Sequence, residues 1–458
     1  MKIILVSPSF NVHTIAPPLG LGYIASVLLD NGHQVEILDP SRKKLSLDDV
    51  AEIIISANPD VLGLSILTSR YNASKELIAK VKEKSPQIKT IVGGAHISAL
   101  PEISVKDIKA DYGAIGEGEY ILLELLEHLQ GKRKLEDILG LVYWQNEIIK
   151  INPRRPNIEN LDSIPFPAWH LMDPREYPPM PHQFFFKKYP VAPIMTTRGC
   201  PHLCSFCAAE SIWGRKYRTR SVKNIVDEIE LLVTKYGVKE IHIEDDNFTL
   251  IKKHALDVCN EIIRRKLNIV WKCPNGVRAD SLDEELLAKM KESGCYQLAF
   301  GIESGNQEIL NSVNKRLDLK IIPGAVKRAK AAGLEVHGFF MIGFPGETYQ
   351  TAMDTIKFSR SIGLDVANYA TLAYLPGSAV FKEWIKNKKT ESMDWGSFNY
   401  YTPQDTVGLT ADQLKKIQRK ALLRFYFSPK VLISHLLKLK LKQIPYLPRA
   451  IFDYLIGN

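Results

Sequence analysis

Short apolar, β-branched runs recur along the first 130 residues: KIILV, QVEIL, DVLGLSIL, KTIVGG and YGAIG. Between them lie stretches such as GLGYIASVLLDNG and KELIAKVKEK, which read as helices. Strand and helix in strict alternation predict parallel strands joined by crossover helices. Five such strands fit a flavodoxin-like (Rossmann-type) doubly wound sheet, in which ligands lie beyond the carboxyl ends of the strands. The loops after Val6, Ile66, Val92 and Ile115 are therefore the expected ligand loops.

From about Gly131 to Tyr189 the alternation gives way to proline-rich chain, including INPRRP, IPFPAWHLMDP and YPPMPH. Proline removes amide donors and turns the preceding residue away from helix, so an extended connector is expected, with a small hairpin near LVYWQNEIIKI. Alternation resumes with VAPIMTT, KEIHIE, NIVWKCP, YQLAFG, EVHGFFMIG and DVANYATLAY, which fits most of a β/α barrel with its chemistry at the carboxyl face. The expected divisions are a Rossmann-like domain at 1–135, a connector at 136–190, a partial barrel at 191–390 and a small helical basic region at 391–458.

A chain of 458 residues is long enough for two or three domains. No window approaches the roughly 20 apolar residues of a membrane span, and the start MKIILVSPSF lacks a signal peptide's apolar stretch, so a cytoplasmic protein is expected. Six cysteines are too few for a disulfide scaffold. Three fall within eight residues, which favours metal, and Cys259, Cys273 and Cys295 read as core thiols. The net charge of +9 is local: from Lys415 to Arg449 there are ten Lys or Arg and no acidic residue. Elsewhere the signs are mixed, which argues against nucleic acid. The basic tail fits an amphipathic element at the inner membrane face, hinting at a lipid or isoprenoid substrate, and equally a helical cap on the barrel.

Directly after VAPIMTT comes RGCPHLCSFC, with Cys200, Cys204 and Cys207 spaced C-x3-C-x2-C. Three thiolates suit a four-iron, four-sulfur (4Fe-4S) cluster whose fourth iron is left for a substrate. Zinc would want a closed set of four, with His202 as the fourth, and usually draws its ligands from two separated turns. The spacing, the aromatic Phe206 and the place after the first barrel strand resemble the radical S-adenosylmethionine (SAM) superfamily. That resemblance covers roughly residues 191–380. It implies that the open iron chelates SAM and that an electron from the cluster yields a 5'-deoxyadenosyl radical.

Later strand ends carry groups that SAM would need. Glu244, Asp245 and Asp246 in IHIEDDNF resemble the superfamily's acidic motif, which accepts hydrogen bonds from the SAM ammonium; a calcium site would need more oxygens. Arg278 in KCPNGVRAD suits the SAM carboxylate or a structural ion pair. Glu303 in AFGIESG resembles the residue that binds the ribose hydroxyls. Gly343 and Pro345 in FFMIGFPGE form a turn that lets backbone approach the adenine.

A Rossmann-like domain ahead of such a barrel resembles the cobalamin-binding (B12-dependent) subgroup. The matching stretches are PPLGLGYIASVL, GLSILTS, VGGAH and GAIGEGE, so Gly20, Ser65, Thr68, Gly93, Gly94, His96, Gly116 and Glu117 are implied to flank the corrin and its nucleotide tail. The D-x-H-x-x-G motif is absent, which makes His96 a loop residue near the ligand rather than a cobalt ligand. A nucleotide-binding or degenerate flavodoxin-like domain is the alternative. The resemblance implies a methyltransferase acting on an unactivated carbon of a small-molecule or lipid-like substrate, fed electrons by a flavodoxin or ferredoxin. A cyclase or rearrangement enzyme without net methyl transfer, and a non-catalytic metal or cobalamin carrier, are the other readings.

Overall fold

The computed structural model describes residues 1–10, 16–179, 186–386, 388, 393–400, 402–429 and 431–432. The five amino-terminal runs are strands β1 (Lys2–Val6), β2 (Gln34–Leu38), β3 (Val61–Ser65), β4 (Lys89–Gly93) and β5 (Tyr112–Ala114). They pair in parallel in the order β2-β1-β3-β4-β5. Ile3, Ile4, Leu5 and Val6 are all buried, as helices on both faces of a sheet require. The hairpin expected near LVYWQNEIIKI forms as β6 (Leu141–Gln145) and β7 (Ile148–Ile151). β6 pairs antiparallel with β5, so the hairpin covers the open edge of the first sheet and makes it seven-stranded.

The second sheet begins at β8 (Val191–Ile194), which is followed by a short antiparallel ribbon, β9 (Thr197–Arg198) and β10 (Arg218–Thr219). Then come β11 (Glu240–Ile243), β12 (Val270–Val277), β13 (Cys295–Glu303), β14 (Glu335–Ile342) and β15 (Val366–Thr371). β8 and β11 to β15 are parallel and sequential, so their carboxyl ends share one edge. The two-residue strands of the ribbon are too short to leave any periodicity in the sequence. Helices between the barrel strands carry their own stops. Helix Val222–Tyr236 starts where Ser221 accepts from the Asn224 amide and ends at Gly237, with φ 64°.

The connector is packed rather than free. Ala168, Trp169 and Met172 are buried, and a Cβ on Gly22 of helix Leu19–Asp30 would lie 2.2 Å from Met172 Cε. The Trp169 indole donates to Glu228 Oε1 at 3.0 Å, tying the connector to the barrel helix as well. Cys259, Cys273 and Cys295 are buried, as expected of core thiols.

Beyond the barrel, helix Ala411–Tyr426 opens with a Thr410–Gln413 capping box and buries Leu414, Ile417, Ala421 and Phe425. Gln418 Nε2 donates to the Tyr369 carbonyl (2.7 Å) and the Tyr426 hydroxyl to that of Ala367 (3.0 Å), which seats the helix on β15. This part of the basic region is a cap on the barrel. Residues 433–458, where most of the expected membrane-facing tail falls, lie outside the described residues. Among the described residues no helix is long and apolar enough to cross a membrane.

Between barrel and cap the chain crosses back to the first domain. Trp395 packs edge-on to His96, with ring centroids 5.0 Å apart, and His96 in turn lies 4.4 Å from Tyr71. Asn72 Nδ2 donates to Asp394 Oδ1 at 2.5 Å beside them. His96 is fully buried, its Nδ1 shares a hydrogen bond with Thr68 (3.1 Å), and its Nε2 has no partner.

Burial lowers the pKa of His96 from 6.5 to about 3, so the unfolded chain takes the proton first as pH falls. The stability gained by keeping it neutral is complete above about pH 6.5 and is lost below that at about 1.4 kcal/mol per pH unit. Melting curves between about pH 7.5 and pH 5 should therefore fall less steeply for His96→Phe than for the parent. Parallel profiles would refute this.

Candidate functional site

All three motif cysteines lie in the loop that the β9–β10 ribbon closes. Cys200 and Cys204 are half-buried, Cys207 is exposed, and all are free thiols. Gly199 starts the loop with φ 90°, and a Cβ there would lie 2.3 Å from the Lys216 carbonyl oxygen, so only glycine fits. The Ser205 amide donates to Val313 O and the Val380 amide to Ser205 O, both at 3.0 Å, which pins the loop between two barrel segments. Among the described residues no three His, Cys, Asp or Glu side chains converge on a single-ion site. Three thiols and no fourth ligand suit three irons of a four-iron cluster. His202 Nε2 is buried without a partner, and no set of ligands gathers around it.

Phe206 packs on Phe344 at 5.3 Å, bringing the turn that holds Gly343 and Pro345 against the cysteine loop. Glu347, which sequence reasoning missed, closes that turn. Its Oε2 accepts from the amides of Gly343 (2.5 Å) and Phe344 (3.2 Å), and burial pushes its carboxyl up to about 7. The Cα of Gly343 faces the cap helix, since a Cβ would meet Leu414 Cδ2 at 3.0 Å.

The acidic loop after β11 divides its labour. Asp245 is buried and accepts from the amides of Thr196 (2.6 Å) and Thr197 (3.1 Å) and from the Thr196 hydroxyl. It braces the corner between β8 and β9. The Glu244 amide donates to Ile194 O at 2.8 Å, and its carbonyl accepts from Asn275 at 2.9 Å. Asp246 is exposed, and its charge adds to burial in raising the Cys200 thiol. The next residue, Asn247, is buried with neither amide atom partnered.

Arg278 takes the ion-pair alternative. Nε and Nη2 bind the two oxygens of Asp280 at 2.9 and 2.6 Å, while Nη1 and Nη2 also bind the carbonyls of Lys315 and Arg316. Glu303 has φ 70°, a left-handed conformation rare outside glycine. Its Oε1 pairs with Lys315 Nζ at 2.9 Å. Lys315 is buried, lies 5.9 Å from the Phe206 ring centre, and lowers the Cys204 thiol against the larger effect of burial. It is the principal residue the sequence hid, because VNKRL carries no motif.

In the first domain Gly20 is exposed with open space at its Cα, and Ser65 is half-buried. Gly94 has φ 95°, and a Cβ would lie 2.9 Å from Ile66 N and O, so this glycine serves the chain's own packing. Gly93 faces Ala114 at an ordinary 3.6 Å. Thr68 and His96 lie buried behind Trp395. The Gly116 amide donates to Ser98 Oγ at 2.9 Å.

Glu117 is turned toward the barrel. Its Oε1 accepts from Arg198 (2.8 Å) and Arg218 (2.9 Å), and its Oε2 from the Ile158 amide (2.7 Å). Glu119 takes the other Arg198 nitrogen at 2.7 Å. The side chains of all four are between 2% and 5% exposed. The Arg198 guanidinium is also flanked by the rings of Tyr23 (5.2 Å) and Trp213 (4.9 Å). Through these contacts the carboxyl edge of the first sheet meets the cysteine loop of the second.

The site thus places three free thiols at the carboxyl edge of a partial β/α barrel that faces a doubly wound domain. Residues 194–359 match the radical SAM superfamily and residues 9–126 the B12 binding domain. The chain is 35% identical to the uncharacterized methyltransferase PH0819 of Pyrococcus horikoshii, across 95% of this chain and 94% of that one. It is 32% identical to cytidylyl-2-hydroxyethylphosphonate methyltransferase of Streptomyces wedmorensis, across 84% and 82%. It is 30% identical to the anaerobic magnesium-protoporphyrin IX monomethyl ester cyclase of Rubrivivax gelatinosus, across 88% and 73%. The fold is that of the methyltransferase TsrM of Kitasatospora setae, with a TM-score of 0.72 at 19% identity over 90% and 84% of the two chains. The protein belongs to the cobalamin-dependent radical SAM enzymes, whose cofactors are a 4Fe-4S cluster, SAM and cobalamin.

Replacing Cys200, Cys204 or Cys207 with Ala should abolish bound iron and sulfide after anaerobic reconstitution, while far-ultraviolet circular dichroism stays unchanged. Lys315→Met should cost up to about 3 kcal/mol of stability by leaving the half-buried Glu303 carboxylate unpaired. Adding Glu303→Gln should recover part of that loss in a thermal melt.

Proposed function

We propose that the protein methylates an unactivated carbon of a small molecule by way of a 5'-deoxyadenosyl radical. The observation that carries this reading is the meeting of the cysteine loop with the ligand edge of the cobalamin domain through Glu117, Glu119 and Arg198. Two cofactors can serve one substrate only if their sites adjoin. When bound, the cluster supplies the electron that splits SAM into methionine and the radical, and cobalamin supplies the methyl group.

The chain's residues bind and orient. Cys200, Cys204 and Cys207 would hold three irons. Asp246 and Glu244 lie in the loop suited to the SAM ammonium, and Asp245 keeps that loop registered against Thr196. Lys315, beside Cys204, is better placed than Arg278 for the SAM carboxylate, because Asp280 and two carbonyls already engage Arg278. The second oxygen of Glu303 is left for the ribose, and the turn with Gly343, Pro345 and Glu347 would flank the adenine. Gly20, Ser65, Gly93 and Gly116 would border the corrin, with Gly94, Thr68 and His96 supporting from behind. A flavodoxin or ferredoxin is the class of donor that would feed the cluster.

The 30% identity to a cyclase supports a second reading, in which the same cofactors act without net methyl transfer. Anaerobic protein reconstituted with iron, sulfide and hydroxocobalamin should retain both cofactors and, with SAM and a reductant, form 5'-deoxyadenosine. A loaded cluster that forms none would overturn the radical reading. With a substrate, equal yields of S-adenosylhomocysteine and 5'-deoxyadenosine support methylation, and deoxyadenosine alone supports the cyclase.

A further inference from the structure

The cysteine loop is gripped at both ends by residues outside the barrel. Before it, Arg198 is held by Glu117 and Glu119 of the cobalamin domain and lies only two positions from Cys200. After it, segment 208–214 is held by the connector: Arg154 Nη2 donates to the carbonyls of Ser211 (2.8 Å) and Ile212 (2.9 Å), and Asn157 Nδ2 to that of Trp213 (2.6 Å). Gly377, Ser211 and Ala99 meet at the same junction, where a Cβ on Gly377 would lie 2.9 Å from Ser211 Cβ and 3.3 Å from Ala99 Cβ. Helix Ala95–Ala99 belongs to the cobalamin domain and Gly377 follows β15, so three parts of the molecule converge behind the loop.

The charge arrangement at the leading end is specific. Arg198 and Arg218 are direct partners across the ribbon, where two like charges would repel. Glu117 sits between them and binds both, and Glu119 completes a neutral set of two Arg and two Glu. Neither the ribbon nor the 115–118 loop can hold its position without the other: the ribbon lacks its counter-charge and the loop leaves a carboxylate buried alone.

We infer that Glu117, Glu119 and Arg198 are positioning residues that fix the cluster relative to the corrin, so that the cobalamin domain, and not the barrel alone, sets the cluster's place. The inference rests on the two-cofactor reading above. The planar Arg198 fork is essential to it, since one guanidinium spans two carboxylates and stacks between two rings.

The test is pulsed electron paramagnetic resonance on holoenzyme holding reduced cluster and cob(II)alamin, which reads the distance distribution between the two spins. The parent should give one narrow distribution. Arg198→Lys, which keeps the charge and loses the fork, should load iron, sulfide and cobalamin normally yet broaden or shift that distribution. It should also slow substrate-free 5'-deoxyadenosine formation by about 10-fold or more, as misplacement near 1 Å does. If Arg198→Lys takes up no cluster, Glu119→Gln is the second variant, because it leaves the Arg198–Glu117 pair in place. A loaded variant with the parent's distance distribution and rate overturns the inference. A parent that binds no cobalamin overturns the functional reading instead.

Discussion

Two arginines and two glutamates, sealed from water where the sheets meet, constrain the rest of the molecule. Burying Arg198, Arg218, Glu117 and Glu119 removes four charges from solvent, and such desolvation commonly consumes most of what the ion pairs return. The network is therefore a poor source of net stability. What it provides is geometry, because a buried charge without its partner is costly and alternative arrangements of the two domains are penalised. The neighbouring parts fit that geometry: the ribbon pairs, Gly199 passes under Lys216, and the cysteine loop lies where the two sheets meet.

The same logic explains why the connector and the segment after the barrel are packed. Trp169 reaches Glu228, which also pairs with Arg220 one residue past the ribbon, so the connector braces the same strand pair from behind. Trp395 and Asp394 return from the barrel to His96 and Asn72. The domains are tied at three separate places, which suits chemistry in which two cofactors must address one carbon and stray water or oxygen would quench a radical.

Much of this was legible in the residues. Short apolar runs marked eleven parallel strands because most are buried on both faces, while the edge strand β2 keeps a one-sided alternation with Gln34 and Glu36 exposed. The cysteine spacing marked the loop at the barrel's carboxyl edge because three thiols so close together stand out in a chain with only six. What stayed hidden was of two kinds. Elements of two residues, such as β9 and β10, leave no period to detect. Partners distant in sequence, such as Lys315 for Glu303 or Trp395 for His96, are brought together only by the fold.

Motif residues also proved to differ in kind. Asp245 lies inside the acidic motif, yet its carboxylate binds Thr196 and Thr197; Glu117 lies in a ligand loop, yet it binds two arginines. Gly94 allows the chain to pass Ile66. A motif marks where a family's backbone must go, and some of its side chains serve that backbone while their neighbours face the ligand. Asp246, next to Asp245, and Gly20, with open space at its Cα, are exposed members of the same motifs. The division follows from burial: a carboxylate fully enclosed must spend its hydrogen bonds on the protein that encloses it, whereas the exposed residue next to it is under no such demand.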